Sequence, residues 1–156
     1  MGLHIVLHEP EIHWNSGNIG RTSLAVGAEL HLVEPLGFSL DEKQLKRAGL
    51  DYWPRVKLRV WPDWAALCGA LPALGEPWFF SSAAPRDYWE APFAEDTVLV
   101  FGKESVGLPP AILDAAGERT LRIPMIDPAL RSLNLSTAAA LAAYEWVRQR
   151  RRSATP

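Results

Sequence analysis

The sequence predicts an α/β fold built on a mostly parallel sheet with helices on both faces. Two observations carry this: short apolar runs rich in β-branched and aromatic residues recur along the chain, and stretches with helical spacing separate them. Strands that alternate with helices are joined by crossovers, so they run parallel and are covered on both sides. With 156 residues, 48% of them apolar, residues 1–156 have the size of one domain with a full core. No repeat, low-complexity stretch or linker marks a boundary within them.

The first strand is expected at 3–7, where Leu3, Ile5, Val6 and Leu7 cluster. A helix follows at 18–26, then a strand at 30–33 and a fainter strand pattern at 57–60. The second helix is placed at 62–71, with Pro62 suited to a first turn. Strands at 78–80 and 97–101 come next, then a helix at 109–116 that Pro109 would open, a strand at 121–123 and a last helix at 136–150.

The formal charge is -2, unevenly spread. Arg148, Arg150, Arg151 and Arg152 crowd the C-terminus, and Lys43, Lys46 and Arg47 form a smaller basic group, so the total does not exclude a nucleic-acid partner. A solvated face and a frayed tail account for the same pattern. The single cysteine, Cys68, cannot form an internal disulfide, and nothing resembles a secretory signal, so a reducing cytoplasm is expected. No apolar run approaches the ~20 residues that span a bilayer. The sequon Asn134-Leu135-Ser136 is read as chance in such a chain.

In parallel sheets ligands gather where strands hand over to loops at their carboxyl ends. Three polar segments stand there: NSGNIGR at 15–21, FGKESVGLP at 101–109 and IPMIDPALRSLNLS at 123–136. In the second, Gly102 removes a side chain at the strand end, Gly107 permits a positive φ before a helix, and Glu104 and Ser105 can brace the loop. An ordinary turn with a helix cap would look the same. In the third, Arg131 and Ser132 interrupt an apolar wall, and Asn134 and Ser136 stand where caps belong. The first presents Arg21 in what reads as the first turn of a helix, where a guanidinium and free amides would hold a phosphate.

Other chemistries find no support. Neither G-x-x-x-x-G-K-[ST] nor G-x-G-x-x-G occurs, and there is no G-x-S-x-G elbow. His4 and His8 on one strand would lie ~13 Å apart, too far to share a metal, and His13 and His31 are read without a cysteine or carboxylate cluster around them. No metal is expected. Of the seven tryptophans, Trp14 and Trp53 fall in polar segments where they would stack on bases if the partner is RNA.

Taken together, N-x-G-N-x-x-R near the start, G-x-E-x-x-G-[LI]-P after a middle strand, and I-P-M followed by R-S-L-N-L-S resemble the SPOUT superfamily of RNA ribose methyltransferases. More narrowly, the chain resembles the single-domain tRNA wobble-nucleotide 2′-O-methyltransferases, and IVLHEPEI, LHLVEPLGF and AGLDYW extend the likeness over nearly its whole length. The resemblance implies S-adenosylmethionine as cofactor and a C-terminal trefoil knot that forms its pocket, against the general rarity of knots. It implies cofactor contacts from Phe80, from Gly102 with Lys103 and Glu104, from Ile123 and Met125, and from Ser132 and Leu133. It implies Arg21 as the catalytic residue, with Asn134 ordering the cofactor loop or approaching the ribose hydroxyl.

The resemblance further implies a homodimer that takes the tRNA anticodon stem-loop across both subunits. Arg21 of one chain would then serve the other's pocket, and Leu141, Tyr144 and Val147 would be covered. Lys103 stands where relatives commonly have proline, His13-Trp14 replace a proline-glutamine type of pair, and Gly20 replaces a larger apolar residue. Two rival functions share these motifs: a ribosomal-RNA ribose methyltransferase and a non-catalytic RNA-binding module. The first usually carries an extra N-terminal domain, whereas here the first strand starts at residue 3; the second would require damage at Arg21, Gly102 or Asn134, and all three are present.

Overall fold

A computed structural model describes residues 2–41, 43, 47 and 50–154. Lys46, of the smaller basic group, lies outside the described residues. Six strands form one sheet: β1 (Leu3–His8), β2 (Glu29–Val33), β3 (Leu58–Trp61), β4 (Glu76–Phe80), β5 (Thr97–Gly102) and β6 (Thr120–Leu121). Their spatial order is β3-β2-β1-β5-β4-β6 and every pairing is parallel. Four helices are described: α1 (His13–Val26), α2 (Trp64–Leu74), α3 (Pro110–Ala116) and α4 (Leu135–Ser153).

The alternation of side chains along the central strands sorts the core into two layers. Leu3, Ile5 and Leu7 of β1 and Leu99 and Phe101 of β5 meet Ile19 of α1 and Ala139, Ala142 and Ala143 of α4. Val6, Val98 and Val100 point the other way, toward Leu67 of α2 and Ile112 of α3. Every residue of β1 and β5 is buried, as a parallel sheet covered on both faces requires. Each large aliphatic side chain so enclosed contributes about 1.5–3 kcal/mol.

Several boundaries differ from the sequence expectation, and three of them bear on the site or its neighbours. Helix α1 begins at His13 rather than 18, so Asn15, Ser16 and Gly17 lie inside it and are buried. Pro62 precedes α2; the cap is Asp63, whose carboxylate accepts from Ala66 N at 2.8 Å, and the helix runs past Pro72 to Leu74. Strand β6 ends at Leu121, leaving Ile123 beyond the sheet. The fainter pattern at 57–60 is a real strand, β3, on the open edge.

Trp53 is buried against α1. A Cβ at Gly20 would come within 2.7 Å of its ring, so the absent side chain at 20 is the room that the indole fills. It is therefore core and not a base platform.

Candidate functional site

The chain runs outward from β1 to β2 and β3, then crosses back, and β5 inserts between β1 and β4. That reversal opens a crevice at the carboxyl ends of the central strands. It holds a cavity of about 440 Å³. Phe80 ends β4, Gly102 ends β5, and Lys103 and Glu104 follow; Ile123 and Met125 come from the segment after β6, and Ser132, Leu133 and Asn134 lead into α4. All of them line this one cavity. Phe80 stacks on Phe101 with centroids 4.6 Å apart, fixing the floor.

Gly102 is bare for a different reason than sequence alone suggests. Its φ is +134°, and a Cβ there would collide with the carbonyl oxygen of His8 on the paired strand. The glycine is demanded first by β1, and the open backbone beside the cavity follows from it. Gly107 has φ +72°, the left-handed turn expected before α3.

Two glutamates lock the loop after β5 to the loop before α1. The Glu104 carboxylate accepts from Glu11 N and Ile12 N, each at 2.8 Å, while the Glu11 carboxylate accepts from Ser105 N at 2.9 Å and Ser105 Oγ at 2.6 Å. Burial pushes the Glu104 carboxyl above the usual range against the lowering effect of the two amides; the hydrogen bonds from Ser105 hold Glu11 below it. Glu104 thus lines the cavity yet directs its carboxylate at backbone.

Asn134 is the cap of α4. Its Oδ1 accepts from Ser136 N at 2.9 Å, Ser136 Oγ at 2.6 Å and Thr137 N at 3.3 Å, and its Nδ2 donates to Asn15 Oδ1 at 3.0 Å. The amide therefore fastens α4 to α1 at the cavity wall. Ser136 is a partner of the cap, not the cap.

Arg21 lies elsewhere. Starting α1 at His13 puts it in the third turn, away from the helix N-terminus. It lines a separate groove between α1 and α4 with Asn18, Tyr144 and Leu141, and its guanidinium sits 6.0 Å from the centre of the Tyr52 ring. Among the described residues lining the first cavity, the cations are Lys103 and Arg131. Lys103 Nζ is 3.8 Å from Glu9, which offsets the charge it adds, and Arg131 donates to the Ser105 carbonyl at 3.3 Å.

The arginine-rich end of α4 is partly committed to structure. Arg148 forms a two-pronged pair with Glu145 at 2.7 and 2.8 Å, and Arg150 donates to the Phe93 carbonyl.

His31 has carboxylate company after all. In the parallel register His4 stands beside Glu29, and His4, Glu29 and His31 bring donor atoms within 4.8 Å of one another. Their hydrogens, however, are arranged for a relay. Trp61 Nε1 donates to His31 Nδ1 at 3.0 Å, so the neutral ring carries its proton on Nε2 and donates to His4 Nδ1 at 2.9 Å. A metal held by His31 Nε2 would have to displace that proton toward the tryptophan N–H.

Asn15, the first residue of the segment at 15–21, is buried and lines the cavity, a site role that sequence reasoning did not assign to it. Sequence reasoning also missed Ser81 and Ser82, which line the cavity after β4. The polar run SSAAP at 81–85 carried the same signal as the three segments singled out.

Residues 2–144 match the family described as SpoU rRNA Methylase. The chain is 47% identical over 147 residues to a protein of Methylovorus glucosotrophus named tRNA (cytidine(34)-2′-O)-methyltransferase, covering 93% of this chain and 94% of that one. A solved structure described as giving insights into 2-OH methylation of C/U34 on tRNA superposes with a TM-score of 0.87 at 49% identity, over 96% of this chain and 91% of the other. The AviRb SpoU methyltransferase of Streptomyces viridochromogenes, solved with AdoMet, superposes with a TM-score of 0.82 at 25% identity, over 96% of this chain and 58% of that one.

Proposed function

The chain belongs to the SpoU rRNA methylase family, and from that premise we infer that it is an S-adenosylmethionine-dependent tRNA 2′-O-methyltransferase acting on the wobble nucleotide, cytidine or modified uridine 34, of the anticodon loop. One observation carries the reading: the segments at 101–109 and 123–136 meet in a single cavity at the ends of the central strands, and Asn15, the first residue of the segment at 15–21, completes its wall.

The cavity suits the methyl donor. Its volume falls in the range of small-molecule sites, Phe80, Leu108, Ile123 and Leu133 give apolar walls for a flat base, and Ser81 and Ser82 also line it. Bound there, S-adenosylmethionine supplies an electrophilic methyl carbon. The protein's task is to bring a ribose hydroxyl into line with it and to keep water out.

We assign the cofactor contacts to Phe80, Gly102, Lys103, Ile123, Met125, Ser132 and Leu133, with Glu104 and Asn134 as positioning residues that hold the two loops. Arg21 steadies the phosphate beside the ribose and the negative charge that develops on the attacking 2′ oxygen; with a pKa above ~12 a guanidinium is a poor proton acceptor near neutrality, so its role is electrostatic. Because Arg21 borders a different groove of its own chain, it serves the cavity of a second copy in a homodimer. The exposed Leu141 and Tyr144 on α4, together with Val147, would pack in that interface.

The C-terminal trefoil knot belongs to the same proposal. Its support is that β6 pairs at the outer edge, beside β4, while α4 returns to pack against β1 and β5 in the middle of the sheet. Backbone bonds from Ser81 and Tyr88 to the carbonyls of Leu121 and Arg122 lash the 81–96 segment to the returning chain. We place the single domain of residues 1–156 in the cytoplasm, where its tRNA substrate is found; among the described residues no helix is long and apolar enough to cross a membrane.

The test is incubation of the protein with labelled methyl donor and unmodified tRNA, followed by mapping of the modified nucleotide. Label on the ribose of nucleotide 34 is expected. Label on ribosomal RNA instead, or on no RNA, refutes the assignment.

A further inference from the structure

Helical spacing puts Trp14, Asn18 and Arg21 at i, i+4 and i+7, on one line along α1. The phase is fixed by their neighbours: Asn15, Ser16, Gly17, Ile19 and Gly20 are buried, whereas the three are exposed. Trp14 leaves 58% of its surface in solvent, with His13 set edge-on to it at 5.0 Å.

The position of this line matters more than its exposure. The residues on either side of Trp14, His13 aside, are Ile12 and Asn15, and both line the methyl-donor cavity. Asn18 and Arg21 line the groove between α1 and α4. Trp14 itself lines neither hollow: it stands at the surface next to residues that line the first, and the seven-residue span to Arg21 covers about 10 Å, a reach suited to adjacent nucleotides.

We propose that Trp14, at the head of the line it forms with Asn18 and Arg21, is an RNA-reading residue whose indole stacks against a base flanking the methylated nucleotide. This rests on the ribose methyltransferase reading given above. A flat aromatic face beside an amide and a guanidinium is the combination by which proteins hold unstacked bases of single-stranded loops, with the ring taking the base and the charge taking the backbone. A second copy of the chain is the poorer occupant for Trp14: Asn18 and Arg21 share their groove with Leu141 and Tyr144 of α4, the patch assigned above to self-association, whereas Trp14 lies outside that groove.

The experiment titrates wild type, Trp14→Ala and Trp14→Phe against a fluorescein-labelled anticodon stem-loop by anisotropy. Methyl-donor affinity is followed by calorimetry and oligomeric state by sedimentation. Loss of one stacked base is expected to weaken RNA binding of Trp14→Ala about tenfold or more. Trp14→Phe should stay within about threefold, because a smaller ring still stacks. Donor affinity and sedimentation should not change.

Equal RNA affinity in wild type and Trp14→Ala overturns the proposal. So does a changed sedimentation coefficient in Trp14→Ala, which would assign Trp14 to a second copy of the chain. Failure of the wild type itself to methylate tRNA is a separate result: it removes the functional reading, and the proposal with it.

Discussion

Acid should unfold this protein through a residue remote from its chemistry. His31 is fully buried in β2, between the Trp61 N–H on one ring nitrogen and His4 on the other. Burial, with smaller contributions from His4 and Arg59, lowers its pKa from 6.5 to about 3. Burial also lowers His4, opposed by Glu29. Charged groups near the pair are Glu29, within 4.0 Å of both rings, Arg59, which is 3.8 Å from Glu29, and Asp96, whose charge acts on His4.

The unfolded chain takes up the His31 proton near pH 6.5, and the folded chain refuses it until about pH 3. Between those values the unfolded state holds more protons, so the stability is fully present above pH 6.5 and is lost as the pH falls toward 3. At 1.36 kcal/mol per pKa unit the whole interval corresponds to roughly 5 kcal/mol, and a fall from neutrality to pH 5 to roughly 2 kcal/mol. That is a large share of a typical domain's stability.

Urea unfolding at several pH values between 7.5 and 5, on wild type and His31→Gln, reads this directly. Glutamine keeps an acceptor for Trp61 and a donor for His4 without titrating. The variant should start less stable and lose much less on acidification. Parallel pH profiles for the two proteins, or a His31 ring that titrates near 6.5 by NMR, would refute the reasoning.

Arg21→Ala should abolish methyl transfer while donor affinity, by calorimetry, stays unchanged. If its site is shared between subunits, mixing Arg21→Ala with a cavity-blocked Leu133→Arg protein should restore roughly a quarter of the wild-type rate, since half the dimers are mixed and each has one intact site. No recovery would place Arg21 in its own chain's site. Glu104→Ala leaves two backbone amides without their acceptor, so stability by urea titration should fall by about 1–3 kcal/mol and donor affinity should fall with it. Asn134→Ala removes the cap of α4 and its tie to Asn15; a loss of about 1 kcal/mol is expected in thermal or urea unfolding, together with weaker donor binding.

Much of the site was legible because its signals are local. Apolar runs located the central strands, and two of the polar segments singled out, at 101–109 and 123–136, meet in one crevice. What escaped depends on partners distant in sequence. The start of α1 carries no side-chain cap at Ile12; its preceding amides are satisfied by Glu104, more than ninety residues away. The company of His31 depends on the register that sets His4 beside Glu29, which no spacing in either strand reveals. Arg150 looked like a free tail cation because Phe93, its acceptor, lies in a distant segment.

The pairing of β1 with β5 sets the tempo of folding. Leu3 faces Thr97 and His8 faces Gly102, so the central seam joins the first strand to one made about two thirds of the way along the chain. Residues 3–61 can assemble β1, β2 and β3 early, but one long edge of β1 stays open until β5 arrives. Contacts so far apart in sequence make for slow folding and for a half-built sheet with an exposed apolar rim while synthesis is under way.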